Sequence, residues 1–133
     1  IYAVDINEVA IHYLAENIRL NKVRGLVVPV LGDCRWVAEE MRDLADRVVM
    51  GFIPGTSAFL PAALRALKPE GGIVHYHDTY HERELWWKPL EALRETAARS
   101  GYRLADVLYK GVVKKYAPRI YHVVLDALFR PAR

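Results

Sequence analysis

The chain has one cysteine, Cys34, so no internal disulfide can form. A lone thiol suits a reducing cytoplasm. Glutamine is absent and asparagine occurs three times, while arginines far outnumber lysines. Scarcity of thermolabile amides fits a heat-adapted source. No apolar run reaches the roughly 20 residues a bilayer-spanning helix needs, and no basic–apolar–small pattern opens the chain. These absences give no membrane or export signal. A phosphate-binding glycine loop, a zinc-finger spacing and a Ser-His-Asp order are also missing.

What remains is ordinary for a globular protein: 133 residues, 53% apolar and 26% charged. That length suffices for one domain with one core. The net charge is +3, unevenly spread. Residues 103–133 carry seven Lys or Arg against two Asp, whereas residues 1–102 carry twelve basic and fourteen acidic residues. A basic last third suits a polyanion such as RNA. It equally suits a solvated sheet edge whose lysines block edge pairing.

Apolar runs alternate with helical patterns. Ile1–Val4 is a strand that ends in Asp5, after which Asn7 can cap a helix whose apolar face is Ile11, Leu14, Ala15 and Ile18. Leu26–Leu31 is a strand that Pro29 assigns to an edge. A helix is expected from Trp36 to Leu44, then a buried strand from Arg47 to Phe52. Leu60, Leu64 and Leu67 mark a helix with Pro61 in its first turn. After the Pro69–Gly72 turn comes a strand over Ile73–His77, then a helix with Pro89 in its first turn and Gly101 past its end. Strands around Tyr102–Tyr109 and Ile120–Phe129 close the chain. Tyr121, Val123, Leu125, Ala127 and Phe129 share one face of the last.

The order β-α-β-α-β-α-β-α-β-β predicts an α/β fold, a mostly parallel sheet covered on both faces, with an antiparallel last strand at an edge. In such sheets ligands lie outside the carboxyl ends of the strands. Those ends carry Asp5, Gly32-Asp33-Cys34, Gly51-Phe52-Ile53-Pro54 and His77-Asp78. A carboxylate at Asp5 can accept hydrogen bonds from both hydroxyls of a cofactor ribose. Asp33 can accept from an exocyclic amine such as that of adenine, or can cap the next helix. Gly51 lets a cofactor approach the backbone, or simply turns the chain. His75, His77 and His81 resemble metal ligands, yet no cysteine or acid cluster completes a tetrahedral set, so no metal is expected. One of Trp86 and Trp87 can stack on a base, with core packing the role of the other. Lys114, Lys115 and Arg119 flank Tyr116-Ala117-Pro118, which fits an RNA backbone contact or a plain charged hairpin.

The stretches Tyr2–Asn7, Glu16–Val23, Gly32-Asp33, Asp46–Gly51, Ile73–His77, Lys115–Pro118 and His122–Asp126 together resemble one family. It comprises the archaeal and eukaryotic enzymes that modify the base next to the tRNA anticodon: the guanine N1-methyltransferases and the wybutosine-pathway aminocarboxypropyl transferases. The methylating enzymes carry an Asn before Leu-Pro or Pro-Pro after the fourth strand of the family's sheet. This chain has Gly51-Phe52-Ile53-Pro54 there, which with His75-Tyr76-His77 resembles the aminocarboxypropyl transferases. The resemblance implies a Rossmann-like class I S-adenosylmethionine-dependent transferase sheet in a cytoplasmic, archaeal, thermophilic enzyme. It implies that Asp5, Ile6, Asp33, Cys34 and Gly51 hold S-adenosylmethionine and that Pro54, His77, Lys114, Lys115 and Arg119 face tRNA. The catalytic residues stay unassigned.

Against the family, the first sheet strand, the glycine loop and the tRNA-binding N-terminal part are missing. The expectation is therefore a partial S-adenosylmethionine-binding catalytic domain over 1–133, with a missing N-terminal part of the same enzyme as its partner and poor folding in isolation. Alternatives are a tRNA guanine N1-methyltransferase, a non-catalytic RNA- or protein-binding module of methyltransferase-like fold, and a nicotinamide-dependent dehydrogenase. The missing glycine fingerprint disfavours the last.

Overall fold

The computed structural model describes residues 1–133, which divide into two compact units, Ile1–Glu40 and Met41–Arg133. The length suggested a single core; the continuous buried cluster belongs to the second unit.

In the first unit, β1 (Tyr2–Asp5) pairs in parallel with β2 (Val28–Leu31), and α1 (Glu8–Leu20) connects them. Asn7 caps α1 as expected: its side chain accepts from the amides of Val9 at 2.9 Å and Ala10 at 3.3 Å. Ile11, Leu14 and Ile18 turn inward, whereas Ala15 is exposed. Pro29 lies in β2, which has a partner on one side only. The helix expected to reach Leu44 is shorter: α2 spans Cys34–Glu40.

The second unit is a four-stranded sheet in the order β3-β4-β6-β5. It comprises β3 (Arg47–Met50), β4 (Gly72–His81), β5 (Tyr102–Ala117) and β6 (Ile120–Pro131). Helices α3 (Leu60–Ala66) and α4 (Trp87–Arg99) lie between strands in the chain. They contribute Leu60, Ala63, Leu64, Leu93 and Ala97 to the core, against Val74, Tyr76 and Tyr80 of β4 and Val123, Leu125, Ala127 and Phe129 of β6. The period-two pattern of the last strand therefore marks the buried face as read. At the Pro69–Gly72 turn, Gly71 has φ +96°, and a Cβ there would lie 2.1 Å from the Phe129 carbonyl oxygen, so only glycine fits.

Two features differ from expectation. The antiparallel strand is not at the edge: β6 runs between β4 and β5, and β5 is the edge. A tight turn makes β5 and β6 neighbours, but ten registered pairs with β4 place β6 inside the sheet, where Val123, Leu125, Ala127 and Phe129 are buried. β4 also continues to His81 rather than ending at His77, because β6 supplies partners beyond the end of β3.

Candidate functional site

Asp5 and Gly32 end adjacent parallel strands, and the Gly32 amide donates to the Asp5 carbonyl at 2.9 Å. The carboxylates of Asp5 and Asp33 thus stand at one end of the first unit's sheet. Asp5 uses one oxygen, Oδ1, to accept from the Asn7 amide at 2.9 Å. Its other oxygen has no protein partner, and the side chain stands in an exposed position beside Ile6, which is 70% exposed. An exposed carboxylate with a free oxygen, oriented by its own backbone, fits the paired hydroxyls of a ribose.

Asp33 is more occupied. Its Oδ1 accepts from the Arg35 amide at 2.9 Å, and its two oxygens take the Arg35 guanidinium at 2.5–3.2 Å. Its backbone carbonyl accepts from the amides of Trp36 and Val37. The capping role is therefore present. Hydrogen bonds from Arg35 hold the Asp33 carboxyl down to about 2. Cys34 is exposed, and desolvation with the Asp33 charge raises its thiol.

In the second unit, Gly51 follows β3. A Cβ there would meet nothing closer than His77 Cβ at 3.9 Å, so protein packing does not demand glycine and the space above its α-carbon is open. The loop beyond it is tethered. Thr56, fully buried, donates from Oγ1 to the Phe52 carbonyl at 2.5 Å. The Gly55 amide donates to Asp78 Oδ1 at 3.0 Å. Asp78 is 4% exposed and also accepts from the Thr79 amide at 2.8 Å and from the Tyr76 hydroxyl at 3.2 Å. Tyr76 and Tyr80 share a further bond of 2.6 Å. Burial pushes the Tyr76 hydroxyl far up and that of Tyr80 to about 12, so both remain donors. Pro54 lies in this tethered loop, exposed.

The opposite face of β4 carries the histidines. His75 Nδ1 lies 2.7 Å from Asp126 Oδ1, and its Nε2 lies 3.2 Å from Arg47. Arginine only donates, so Nε2 of His75 holds a lone pair and Nδ1 carries the hydrogen. His77 Nδ1 lies 3.0 Å from His122 Nε2. Desolvation first, then the neighbouring His122, lowers the His77 pKa.

The basic residues are less united than their spacing suggests. Lys114 lies opposite His122 and Lys115 opposite Tyr121, so the two lysines point to opposite faces of β5. Arg119 is 3.7 Å from Glu82, and its carbonyl accepts from the Glu82 amide. Trp87 is 57% exposed and donates to the Arg83 carbonyl, while Trp86 packs on the core beneath Lys110. A cleft of about 360 Å³ between α4 and β5 holds none of the residues named from the strand ends. The reading of strand ends gives Asp78 and His122 no role. The alternation Val74, Tyr76, Asp78, Tyr80 is the signal that would have put Asp78 on the buried face.

With this geometry in view, residues 1–105 match the TRM5/TYW2 methyltransferase domain. The chain belongs to that family. It is 44% identical over 97% of its length to the tRNA(Phe) (4-demethylwyosine(37)-C(7)) aminocarboxypropyltransferase of Methanocaldococcus jannaschii, covering 50% of that protein. It is 40% identical over 95% of its length to the tRNA (guanine(37)-N(1))-methyltransferase Trm5b of Pyrococcus abyssi, covering 36% of it. The crystal structure of M. jannaschii TYW2 in complex with AdoMet superposes with a TM-score of 0.91 over 98% of this chain and 57% of that one. The chain thus spans about half the length, or less, of these curated relatives. The α/β fold of S-adenosylmethionine-dependent transferases is confirmed, with parallel and antiparallel strands in one sheet. No helix is long and apolar enough to cross a membrane.

Proposed function

We propose that residues 1–133 are the S-adenosylmethionine-binding catalytic portion of a cytoplasmic tRNA-modifying transferase. It moves the 3-amino-3-carboxypropyl group to carbon 7 of a wyosine precursor base beside the anticodon. The observation that carries this reading is the likeness to the M. jannaschii aminocarboxypropyltransferase, at 44% identity, and to its AdoMet-bound structure. The side-chain-free Gly51 adds support, since it offers a target base no amide of the kind a methylating relative places there.

When bound, S-adenosylmethionine supplies a carbon made electrophilic by the adjacent sulfonium. Asp5 would accept from the ribose hydroxyls, and the exposed Ile6 beside it would cover the adenine. Asp33 and Cys34 offer a carboxylate and a backbone group to the adenine edge. Gly51 leaves room for the donor chain. Pro54 and His77 line the approach of the base, while Lys114, Lys115 and Arg119 contact tRNA phosphates. Orientation supplies most of the rate, because the same donor also presents a transferable methyl group. The scarcity of amides fits a heat-adapted archaeal source.

The test uses the complete protein, precursor tRNA and two preparations of S-adenosylmethionine, one labelled in the methyl group and one in the carboxyl group. Carboxyl label in the tRNA supports the reading. Methyl label alone would establish the guanine methyltransferase instead, the alternative favoured by the 40% identity to Trm5b of P. abyssi. Neither label, with no saturable donor binding, would indicate a non-catalytic module.

A further inference from the structure

We infer that His77 and His122 form the proton-accepting pair of the transfer step, with Nε2 of His77 receiving the ring proton of the target base. The inference rests on the transferase reading above and gives it the base it lacks.

Met50, the last residue of β3, pairs with Tyr76, so His77 stands one residue beyond the end of β3 and beside Gly51. The open space over Gly51 is therefore flanked by the His77 side chain, whose Cβ is the nearest atom to a Cβ built on that glycine, at 3.9 Å. His122 reaches His77 from the neighbouring strand β6 at 3.0 Å. The imidazoles are tilted by 55° with centroids 5.2 Å apart, an arrangement for edge hydrogen bonding rather than stacking.

His75 has both ring nitrogens engaged, by Asp126 and Arg47. Asp78 is buried and accepts three hydrogen bonds. His81 stands four residues beyond His77, at the end of β4, where its Nδ1 accepts from the Arg83 amide. His77 is left with one nitrogen bonded to His122 and the other, Nε2, without a protein partner. The charged and titratable groups around the pair are His75 on β4, Asp126 on β6, Arg47 on β3 and Lys114, which lies opposite His122 on β5. Burial and His122 lower the His77 pKa, so Nε2 is available to accept at neutral pH.

The chemistry requires such a group. Carbon 7 of the base bonds to the incoming aminocarboxypropyl carbon with an electron pair from the ring. The carbon–sulfur bond breaks, and sulfur keeps its pair to become a neutral thioether. The carbon–hydrogen bond at the same ring position then breaks; its pair returns to the ring and its proton goes to Nε2 of His77. The Nδ1 hydrogen of His77 can pass to Nε2 of His122, spreading the charge over two rings.

The test uses the complete protein with carboxyl-labelled S-adenosylmethionine and precursor tRNA. His77→Gln keeps a hydrogen-bonding side chain that cannot take a proton at neutral pH. Turnover is expected to fall by about 10²–10⁴-fold, far more than tRNA affinity measured on the same variant. His122→Gln should shift the His77 titration, read by NMR of the ring protons without turnover, and move the acidic limb of the kcat profile with it. Transfer by His77→Gln within about threefold of the unmodified protein would overturn the inference and leave the transferase reading intact. So would a His77 titration that is the same with and without His122. No transfer by the unmodified protein would remove both. If His77→Gln fails to melt cooperatively, the His122→Gln titration and pH profile still decide.

Discussion

The two units are unequal in a way that tracks their expected work. In Ile1–Glu40 the buried apolar residues are Ile18 and Ala38, while Tyr2, Ile6, Val9, Tyr13, Leu20, Leu26, Leu31 and Trp36 are exposed. In Met41–Arg133, α3, α4, β4 and β6 enclose one continuous core that includes fully buried Leu60, Tyr76, Leu125 and Phe129. The first unit has a two-stranded sheet of four residues per strand, marginal on its own. The second has a ten-pair ladder at its centre. Apolar exposure of the first kind is a surface left for a neighbouring element or a ligand to cover, and the chain spans only about half the length of its M. jannaschii relative. The residues proposed to hold the cofactor's ribose and adenine lie there, on elements held mainly by caps and strand pairing, whereas the loop proposed to meet the base is anchored to the core through Asp78.

The largest effect that would break this comparison is on stability. Phe129→Ala should cost about 3–5 kcal/mol, because its fully buried ring is lost from the core. Ile18→Ala should instead speed hydrogen exchange in α1 and β1 while leaving β4 and β6 protected. Both are read by denaturant melts with residue-resolved exchange. Equal loss of protection in β4 after Ile18→Ala would make the two units one cooperative body.

The fold was legible where a periodic pattern met a buried face. The alternation Tyr121–Phe129 and the helix through Leu60 and Leu64 specify their own environments. The place of β6 was not legible, because strand order depends on which partner a strand finds in space, and either β5 or β6 could take the free edge of β4. Among the candidate site residues, Asp5 and Asp33 come to one end of a sheet, as parallel strands dictate. The occupation of Asp33 by Arg35, two residues on, is a local rotamer choice that spacing does not reveal. Likewise Lys114 and Lys115 look like one cluster in the chain, yet a strand turns them apart.

A second test addresses the first unit's binding role. Asp5→Ala in the complete protein should weaken S-adenosylmethionine binding by roughly ten- to a hundredfold, the loss of about 1.5–3 kcal/mol for charge-assisted hydrogen bonds. Calorimetry giving an unchanged Kd would remove Asp5 from the site. Asp33→Ala should weaken binding more than Asp33→Asn, whose amide oxygen still accepts. Normal binding by both would leave Asp33 as the cap of α2.

The basic residues of the second unit offer a smaller effect. If each side chain neutralises one phosphate, replacing Lys114 or Lys115 by Ala should each lower the salt slope of tRNA binding by about one unit. Arg119→Ala should lower it less, since Glu82 already lies 3.7 Å from that guanidinium. Unchanged slopes, together with light scattering that reports aggregation, would assign the lysines to edge protection instead.

Acid gives the finest contrast, because the two units should lose stability in different pH windows. The folded pKa of His77 is lowered from 6.5, so below 6.5 the unfolded chain binds more protons at this site than the folded one. Its contribution is complete above 6.5 and declines as the pH falls through the depressed value. Asp33 is lowered from 3.8 to about 2, so the unfolded chain binds the excess proton in a more acidic range. Its contribution is complete above about pH 5 and is lost as the pH falls through about 2. The second unit, despite its core, should therefore soften first on mild acidification, and His77→Gln should remove that softening. Trp36 reports on the first unit and Trp86 with Trp87 on the second, so denaturant melts of variants that retain one set or the other separate the windows. If the Trp86 and Trp87 signal keeps a constant midpoint from pH 7.5 to 5 while the Trp36 signal falls, the assignment of the acid-sensitive group to His77 fails.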